Sequence, residues 1–298
     1  MKIGVVFPQT EVGADPGAIK EYAQSVERMG YTHILAYDHV VGANTASRQD
    51  WKGPYRLESQ FHEPFVLFAY FAGVTKTVGL TTGVIILPQR QTVLVAKQAA
   101  ALDVLSNGRL RLGVGIGWND VEYEALGMNF HDRGARSAEQ VELMRALWTQ
   151  PAVTFKGKWH TVTDAGINPM PVQRPIPVWF GGGTERAPSG LTGLDPVIKR
   201  IARMGDGWMP QFQPDERGKE LLAKFHGFVR EYGRDPDKIG IEGRASAHRA
   251  TEPKWADTVK SWRDIGATHF SVNTMSDGLK GAHEHLRRLE AFRRAVPA

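Results

Sequence analysis

Short apolar segments alternate with amphipathic segments along the chain. The first apolar segment, Ile3–Phe7, is followed by Pro16–Met29, where apolar residues recur every three or four positions. That spacing predicts a helix with one buried face. The same strand-then-helix pair recurs eight times in 298 residues. Repeated pairs predict a parallel sheet, and eight of them favour an α/β fold of the (β/α)8 TIM barrel type over an open doubly wound sheet.

The pattern also gives approximate bounds for each element. The predicted strands are Ile3–Phe7, Thr32–Tyr37, Gly79–Leu87, Arg109–Gly115, Pro177–Phe180, Gly207–Pro210, Lys238–Glu242 and His269–Asn273. The predicted helices are Pro16–Met29, Glu63–Thr75, Val93–Leu105, Arg133–Thr149, Asp195–Met204, Pro214–Tyr232, Pro253–Ile265 and Gly278–Arg294. A polar loop at 40–62 is long enough to suggest a functional role. A small hairpin is inserted after the fourth helix, and we predict a single domain over residues 1–298.

Composition excludes several classes of function. The chain contains no cysteine, which rules out disulfides, thiolate nucleophiles and Cys-type metal sites. The net charge of +5 is modest, and part of the basic excess lies in the C-terminal helix. We see no basic patch with stacking groups, so nucleic acid is not an expected partner, whereas an anionic cofactor is compatible with the charge. No apolar run is long enough for a membrane span and the start does not resemble a signal peptide, so we expect a cytoplasmic protein.

In a barrel of this type the active site lies at the carboxyl ends of the strands. His39, at the end of the second strand, is the strongest catalytic candidate, because an imidazole can move protons near neutral pH. Its neighbour Asp38 could influence that imidazole or bind a cofactor nitrogen. The simpler interpretation of this pair is the polar start of a loop. Its position at a barrel strand end favours the functional interpretation.

Three glycine-containing segments lie at other strand ends. Gly181-Gly182-Gly183-Thr184 could bind a phosphate through main-chain N–H groups, although a flexible turn explains it equally well. The segment from Gly113 through Gly115 to Gly117 is not the dinucleotide-binding fingerprint, and it either admits a flat ring or packs a strand closely against a helix. The glycine in Gly83-Val84 suggests a bulge in the third strand.

Other candidates could complete a binding pocket. Gln9 follows the first strand, and Asn119 ends the motif after the fourth strand. Four aromatic residues could form an apolar wall, although each alone is more typical of a core: Trp51, Trp118, Phe180 and Trp208.

Taken together, these segments resemble the luciferase-like family of flavin- and deazaflavin-dependent oxidoreductases. The matching strings occur in the family's order within residues 1–210: Ala36-Tyr37-Asp38-His39, Leu80-Thr81-Thr82-Gly83-Val84, Leu102-Asp103 with Leu105-Ser106-Asn107-Gly108-Arg109, Gly113-Val114-Gly115-Ile116-Gly117-Trp118-Asn119, and Val178-Trp179-Phe180-Gly181-Gly182. Each string is weakly specific alone, whereas five in order are fairly specific.

The resemblance implies a homodimeric barrel in which a tricyclic ring lies against the bulge at Gly83-Val84, where members often have a non-proline cis peptide bond. It implies that the turn Gly181–Thr184 holds the cofactor phosphate and that His39 exchanges a proton beside the reacting ring carbon. The remaining predicted cofactor contacts are Asp38, Gly115, Gly117, Trp118 and Asn119. Gln9, Trp51 and Trp208 are predicted to line the substrate pocket.

The Asp-His pair is similar to the branch that uses coenzyme F420, whereas many FMN-dependent members have a glutamate before the histidine. We therefore expect reduced F420 as the hydride donor, with FMN and oxygen-dependent monooxygenation as the alternative. The sugar-phosphate dehydrogenases of the F420 branch have a tryptophan where this chain has Ala43, and a glutamate where we place Trp118. Both departures argue against glucose 6-phosphate and favour a small, weakly polar organic substrate such as an enone, ketone or imine.

Two other classes of function remain open. A metal-dependent barrel hydrolase could use Asp38, His39, His62 and His160, but the first strand lacks a His-x-His pair and no carboxylate cluster follows, so we predict no metal. A barrel that binds flavin without turnover is also possible. The loop at 40–62 favours catalysis over simple storage if it forms a lid over the site.

Overall fold

Eight parallel strand positions close into a barrel, as the sequence predicted. The computed structural model describes residues 1–184, 194–247 and 252–296, without the side chains of Thr184, Glu252 and Pro253. The barrel strands are β1 (Lys2–Val6), β2 (His33–Ala36), β3 (Gly79–Thr82) with β4 (Ile85–Ile86), β5 (Leu110–Gly115), β8 (Val178–Thr184), β9 (Gly207–Gln211), β10 (Gly240–Ser246) and β11 (His269–Asn273). The pairing of β3 with β5 and of β1 with β11 closes the ring, which confirms the (β/α)8 TIM barrel.

Helices follow the strands around the outside of the barrel. They are α1 (Gln9–Val12), α2 (Pro16–Arg28), α3 (Pro64–Val74), α4 (Thr92–Leu105), α5 (Asp120–Ala125), α6 (Arg133–Thr149), α7 (Asp195–Met204), α8 (Glu216–Glu231), α9 (Glu252–Asp264) and α10 (Gly281–Ala295). The inserted hairpin consists of the antiparallel strands β6 (Val153–Lys156) and β7 (Thr161–Ala165). No helix in the described part of the chain is long and apolar enough to span a membrane.

Three local features differ from the predicted bounds. The third strand is broken into β3 and β4, and the peptide bond Gly83–Val84 between them is cis, as the resemblance implied. The short helices α1 and α5 were not predicted, because four and six residues are too few to show a helical period. Strand β10 was predicted to end at Glu242 but continues to Ser246, so Arg244 also lies on a strand.

The barrel interior carries a polar layer below its carboxyl end. Arg111 Nη2 lies 2.6 Å from Glu242 Oε2, and His33 Nε2 lies 2.9 Å from Glu242 Oε1. Burial alone would raise the pKa of Glu242. Arg111 and His33 nevertheless hold that pKa well below its ordinary value. The carboxylate is therefore ionised and already paired. This layer forms a floor under the opening where the strands end.

Candidate active site

A cavity of about 420 Å³ opens at the carboxyl ends of the barrel strands. Its size is in the range typical of small-molecule sites. Its lining includes many of the predicted cofactor residues, drawn from β2, the β3–β4 break, β5 and β8: Asp38, His39, Gly83, Val84, Gly115, Gly117, Trp118, Gly181 and Gly182. Residues far apart in sequence therefore meet in one place, at the end of the barrel where catalytic sites of this fold occur.

His39 is held in a defined orientation by Glu122. The imidazole Nδ1 lies 2.9 Å from Glu122 Oε1. An ionised carboxylate can only accept a hydrogen bond, so Nδ1 carries the donated proton. The second ring nitrogen, Nε2, is then left as the proton acceptor or donor available to a molecule in the cavity.

Glu122 is a candidate functional residue that the sequence did not predict. It is almost completely buried, and it also accepts hydrogen bonds from the backbone N–H of Val40 at 3.1 Å and from Gln89 Nε2 at 3.1 Å. Burial alone would raise the pKa of this carboxyl, but the hydrogen bonds from His39 and Gln89 outweigh that effect and lower the pKa. A signal did exist in the sequence, since Asn119 followed three residues later by Glu122 resembles the start of a helix.

Aromatic residues of the 40–62 loop cover His39. The centroid of its imidazole lies 4.6 Å from the Tyr55 ring, 4.7 Å from the Phe61 ring and 5.9 Å from the Trp118 ring. Trp51 donates a hydrogen bond from Nε1 to the Tyr55 carbonyl oxygen at 3.0 Å and packs against Trp118. Trp51 thus braces the loop over the site and is not among the residues that line the cavity.

The side chain of Val84 is seated between two glycines of neighbouring strands. A Cβ atom at Gly115 would lie 2.5 Å from Val84 Cγ2, and one at Gly181 would lie 2.8 Å from Val84 Cγ1. Real Cβ atoms do not approach so closely, so a larger residue at either glycine would displace Val84. Both glycines border the cavity, and they also make room for Val84, which projects from the strand break as a small apolar platform.

Gly117 and Asp38 both lie beside Ile86 of β4. Gly117 has a positive φ of 65°, and a Cβ there would lie 2.8 Å from Ile86 Cγ2. Asp38 Oδ2 accepts a hydrogen bond from the Ile86 backbone N–H at 2.9 Å, and Asp38 Oδ1 accepts one from Arg90 Nη2 at 2.8 Å. Both carboxylate oxygens of Asp38 are therefore engaged in holding β4 and Arg90, which weakens the expectation that Asp38 binds a cofactor nitrogen.

Several predicted residues lie outside the cavity lining. Gln9 is buried and joins two backbone segments, donating to the Tyr37 carbonyl oxygen at 2.8 Å and accepting from the His62 N–H at 3.2 Å. Trp208 and Phe180 are core residues, so the prediction that Trp208 lines the substrate pocket is corrected. The Trp208 indole N–H donates to the Gly182 carbonyl oxygen at 2.9 Å.

Asn119 and Gly183, which were also predicted to contact the cofactor, lie against other parts of the protein. Asn119 is buried and caps α5 by accepting the Val121 N–H at 3.2 Å, and it does not line the cavity. Gly183 has a positive φ of 81°, and a Cβ there would lie 2.8 Å from the Trp208 ring. The side chain of Thr184 lies outside the described residues. Within the predicted phosphate turn, Gly181 and Gly182 are the residues that border the cavity.

The residues considered for a metal site are dispersed. His160 lies at the start of the hairpin's second strand, with Nδ1 2.8 Å from Glu139 Oε1 and Nε2 2.6 Å from Thr92 Oγ1. Within residues 1–184, 194–247 and 252–296, no three histidine, aspartate or glutamate side chains form a group that could hold a metal ion.

The sequence matches the family model of luciferase-like monooxygenases over residues 1–271. An uncharacterised protein of Mycobacterium tuberculosis is 36% identical over 98% of both chains. An F420-dependent glucose-6-phosphate dehydrogenase of Amycolatopsis mediterranei is 33% identical over 70% of this chain and 57% of that enzyme. A pyrimidine monooxygenase of Allorhizobium ampelinum is 28% identical over 72% of this chain and 56% of that enzyme.

Solved structures show the same barrel. An F420-dependent secondary alcohol dehydrogenase, solved with an F420–acetone adduct, superposes with a TM-score of 0.78 over 100% of this chain and 99% of that chain, at 19% sequence identity. At that identity the likeness concerns the fold.

Proposed function

This chain belongs to the luciferase-like monooxygenase family, and from that premise we propose that it is an F420-dependent oxidoreductase. Its substrate in this proposal is a small, weakly polar organic molecule that receives a hydride from reduced F420. The observation that carries the proposal is the hydrogen bond of 2.9 Å between Nδ1 of His39 and Glu122, in a histidine that lines the cavity at the barrel mouth.

The residues around the cavity fit a flat ring. Val84 provides an apolar surface on one strand, and Gly115 and Gly181 leave no side chain of their own beside it. Trp118 and the aromatic loop residues supply further apolar wall. When bound, F420 would supply the hydride. The main chain at Gly181 and Gly182 is where we expect the phosphate of its tail.

The protein's own contribution is to manage the proton and to exclude water. His39 Nε2 would donate the proton that accompanies hydride transfer to a carbonyl or imine substrate. The buried carboxylate of Glu122 keeps Nδ1 protonated and stabilises the positive charge whenever Nε2 is also protonated. Tyr55 and Phe61 cover His39, which shields the reacting groups from bulk water.

The preference for F420 over FMN rests on the Asp38-His39 pair and on the 33% identical F420-dependent relative. A flavin-dependent monooxygenase is the second candidate, favoured by the family and by the pyrimidine monooxygenase relative. A barrel that binds flavin without turnover is the third. A homodimer and a single domain over residues 1–298 remain parts of the proposal.

The test titrates purified protein with F420 and with FMN separately and follows fluorescence quenching. We expect saturable binding of F420 and weaker binding of FMN. Tight FMN binding with no response to F420 would reverse the cofactor assignment and leave the fold unaffected. In a second arm, the oxidation of reduced F420 by a panel of ketones and enones is measured for the wild type, His39→Ala and the control His131→Ala.

The second arm separates catalysis from storage. We expect His39→Ala to keep its affinity for F420 and to lose roughly 100-fold or more in turnover, the range typical of a general acid. His131 is exposed, so its variant should behave as the wild type. Unchanged turnover in His39→Ala would remove His39 from the mechanism, and F420 binding without turnover on any substrate would favour the non-catalytic barrel.

A further inference from the structure

A second cavity of about 490 Å³ adjoins the first at the carboxyl ends of β10 and β11. Tyr37, Tyr55 and Arg244 line both cavities, so the two spaces meet around these three side chains. The lining of the second cavity is mostly polar and uncharged, with hydroxyl and amide groups from Thr10, Ser246, Thr258 and Asn273 among them. Within the described part of the chain, Arg244 is the one charged side chain that lines it.

Arg244 differs from the other arginines inside and beside the barrel. Arg111 lies 2.6 Å from Glu242, Arg90 lies 2.8 Å from Asp38, and Arg145 lies 2.7 Å from Asp206. Arg244 Nη1 donates to the Tyr37 hydroxyl oxygen at 3.0 Å, and no carboxylate of the described residues lies within 4.0 Å of its guanidinium. Its guanidinium carbon also lies 5.6 Å from the centroid of the Tyr37 ring. A half-buried arginine whose partners are a neutral hydroxyl and a ring face retains several N–H donors for a ligand.

Carboxylates on β10, on α1 and after β11 are already engaged with other groups. Glu242, two residues earlier on β10, is paired with Arg111 and His33. Glu11 Oε1 accepts the Ser276 N–H at 2.7 Å, and its Oε2 lies 3.1 Å from His285 Nε2. Asp277 accepts a hydrogen bond from Ser246 Oγ at 3.4 Å. Among the described residues, no carboxylate therefore pairs with Arg244, and its positive charge is left for a ligand.

The position of Arg244 follows from the length of β10. Alternate residues of a strand point to the same face, so Glu242 and Arg244 both point into the barrel. Glu242 belongs to the floor, and Arg244 lies one step nearer the opening. Burial raises the pKa of Tyr55 to about 12, so the phenol beside Arg244 is neutral and does not compete for the guanidinium.

We propose that Arg244 binds a carboxylate group of the substrate. This inference rests on the proposed function and narrows its substrate class to organic acids. The acid's apolar, reducible part would lie near His39 and Trp118, and its carboxylate would extend toward the second cavity. A planar guanidinium matches a carboxylate with two parallel hydrogen bonds. The sequence predicted a weakly polar substrate. In this proposal that description applies to the end of the acid that reacts, and not to its carboxylate.

The experiment measures binding of acids and of their neutral amides by calorimetry. The probe pairs are trans-cinnamate with trans-cinnamamide and hexanoate with hexanamide, each tested with and without saturating F420. The proteins are the wild type, Arg244→Gln, Arg244→Lys and the control Arg217→Gln, which alters an exposed arginine on α8. Thermal unfolding of each variant verifies that it is folded, and F420 affinity is measured in parallel.

We expect the wild type to bind at least one acid roughly 10- to 100-fold more tightly than its amide, as for a hydrogen bond between charged groups. Arg244→Gln should abolish that preference without changing amide or F420 affinity, and Arg244→Lys should retain part of it. Equal affinity for acid and amide in both pairs would overturn the proposal. So would an unchanged preference in Arg244→Gln, or a loss confined to F420 affinity, which would assign the guanidinium to the cofactor tail.

The outcomes also separate this inference from the proposed function. A carboxylate preference that depends on Arg244 in a protein that does not bind F420 would refute the cofactor assignment and leave the acid site standing. F420 binding and turnover of neutral ketones, with no preference for acids, would support the cofactor assignment and refute the acid site.

Discussion

At the scale of single residues, the contact between His39 and Glu122 is the centre of the site. A histidine exchanges a proton with substrate through one accessible ring nitrogen, and a hydrogen bond at the other nitrogen sets the tautomer and the orientation of the ring. Glu122 fixes Nδ1, and its own position is fixed by the Val40 N–H and Gln89. In the proposed function, the carboxylate therefore acts through His39, as a positioning residue.

Replacing Glu122 by glutamine tests this role. The amide can still accept a hydrogen bond from His39, but it cannot stabilise a protonated imidazole electrostatically. We expect turnover to fall at least roughly 10- to 100-fold, the range seen for groups that orient a metal-bound histidine. Affinity for F420 should change little, because Glu122 does not line the cavity. Steady-state kinetics and F420 titration provide the two measurements.

Glu124→Gln is the matched control on the same helix. Glu124 is exposed, and its Oε2 lies 3.8 Å from Nη2 of Arg48, which is a long distance for an ion pair. It should leave both turnover and affinity near the wild-type values. Equal losses in the two variants would indicate general damage to α5. A wild-type turnover in Glu122→Gln would show that His39 needs no charged partner.

The sequence predicted some of these residues and missed others for a physical reason. His39, Gly83 and Val84 were predicted because motifs at strand ends indicate the barrel mouth. Glu122 and Arg244 were missed, because their roles depend on contacts between elements that are distant in sequence. Trp208 was misplaced, because an aromatic residue near a strand end can point outward to the helices as well as inward.

At the scale of elements, the break between β3 and β4 shapes the site. Val84 projects at the break, and its two methyl groups fit beside Gly115 on β5 and Gly181 on β8. The strands on both sides must therefore have glycine at these positions for Val84 to keep its place. The sequence indicated a bulge here, but the partners of the bulge depend on strand register, which periodicity alone does not give.

Gly115→Ala should disturb this arrangement. The added methyl would meet Val84 Cγ2 at 2.5 Å, so Val84 or β5 must move. Overpacking of this kind typically costs about 1–3 kcal/mol of the free energy of unfolding. We expect that loss in chemical denaturation, together with weaker F420 binding because the platform shifts. The double variant Gly115→Ala, Val84→Ala should recover part of the stability.

Gly227→Ala is the control for the glycine substitution itself. Gly227 lies in the interior of α8, and a Cβ there would meet no atom within 4 Å. Alanine should stabilise that helix by about 0.5–1 kcal/mol and leave cofactor affinity unchanged. If Gly115→Ala proved as harmless as Gly227→Ala, Val84 would not be held by steric contact with β5.

At the scale of the whole molecule, the repeat of strand and helix was readable because it is local. Each helix and strand shows its own period, and eight pairs specify a barrel. Two of the outer helices, however, do not have the polar outer face that the repeat predicts. Helices α3 and α4 pack side by side and carry exposed apolar residues, which a helix facing water would not need.

The exposed apolar residues of α3 and α4 define a face that we assign to the proposed homodimer. Its large members are Val66, Tyr70, Val93, Leu94, Val104 and Leu105. Val66 and Leu105 are 70% and 69% exposed in the single chain. Adjacent apolar residues on a surface mark interaction sites, and a second copy of the chain is the occupant that the family resemblance implies.

Introducing charge into this face should prevent association. We expect the double variant Val66→Glu, Leu94→Glu to sediment as a monomer at concentrations where the wild type sediments as a dimer, because burying two unpaired carboxylates per copy is unfavourable. Tyr232→Glu provides the control: Tyr232 is also a partly exposed apolar residue, but it follows α8, on the side of the barrel away from α3 and α4. A dimer that survives the double variant but dissociates in Tyr232→Glu would place the interface on the opposite side of the barrel. A wild-type monomer at all concentrations would remove the dimer from the proposal.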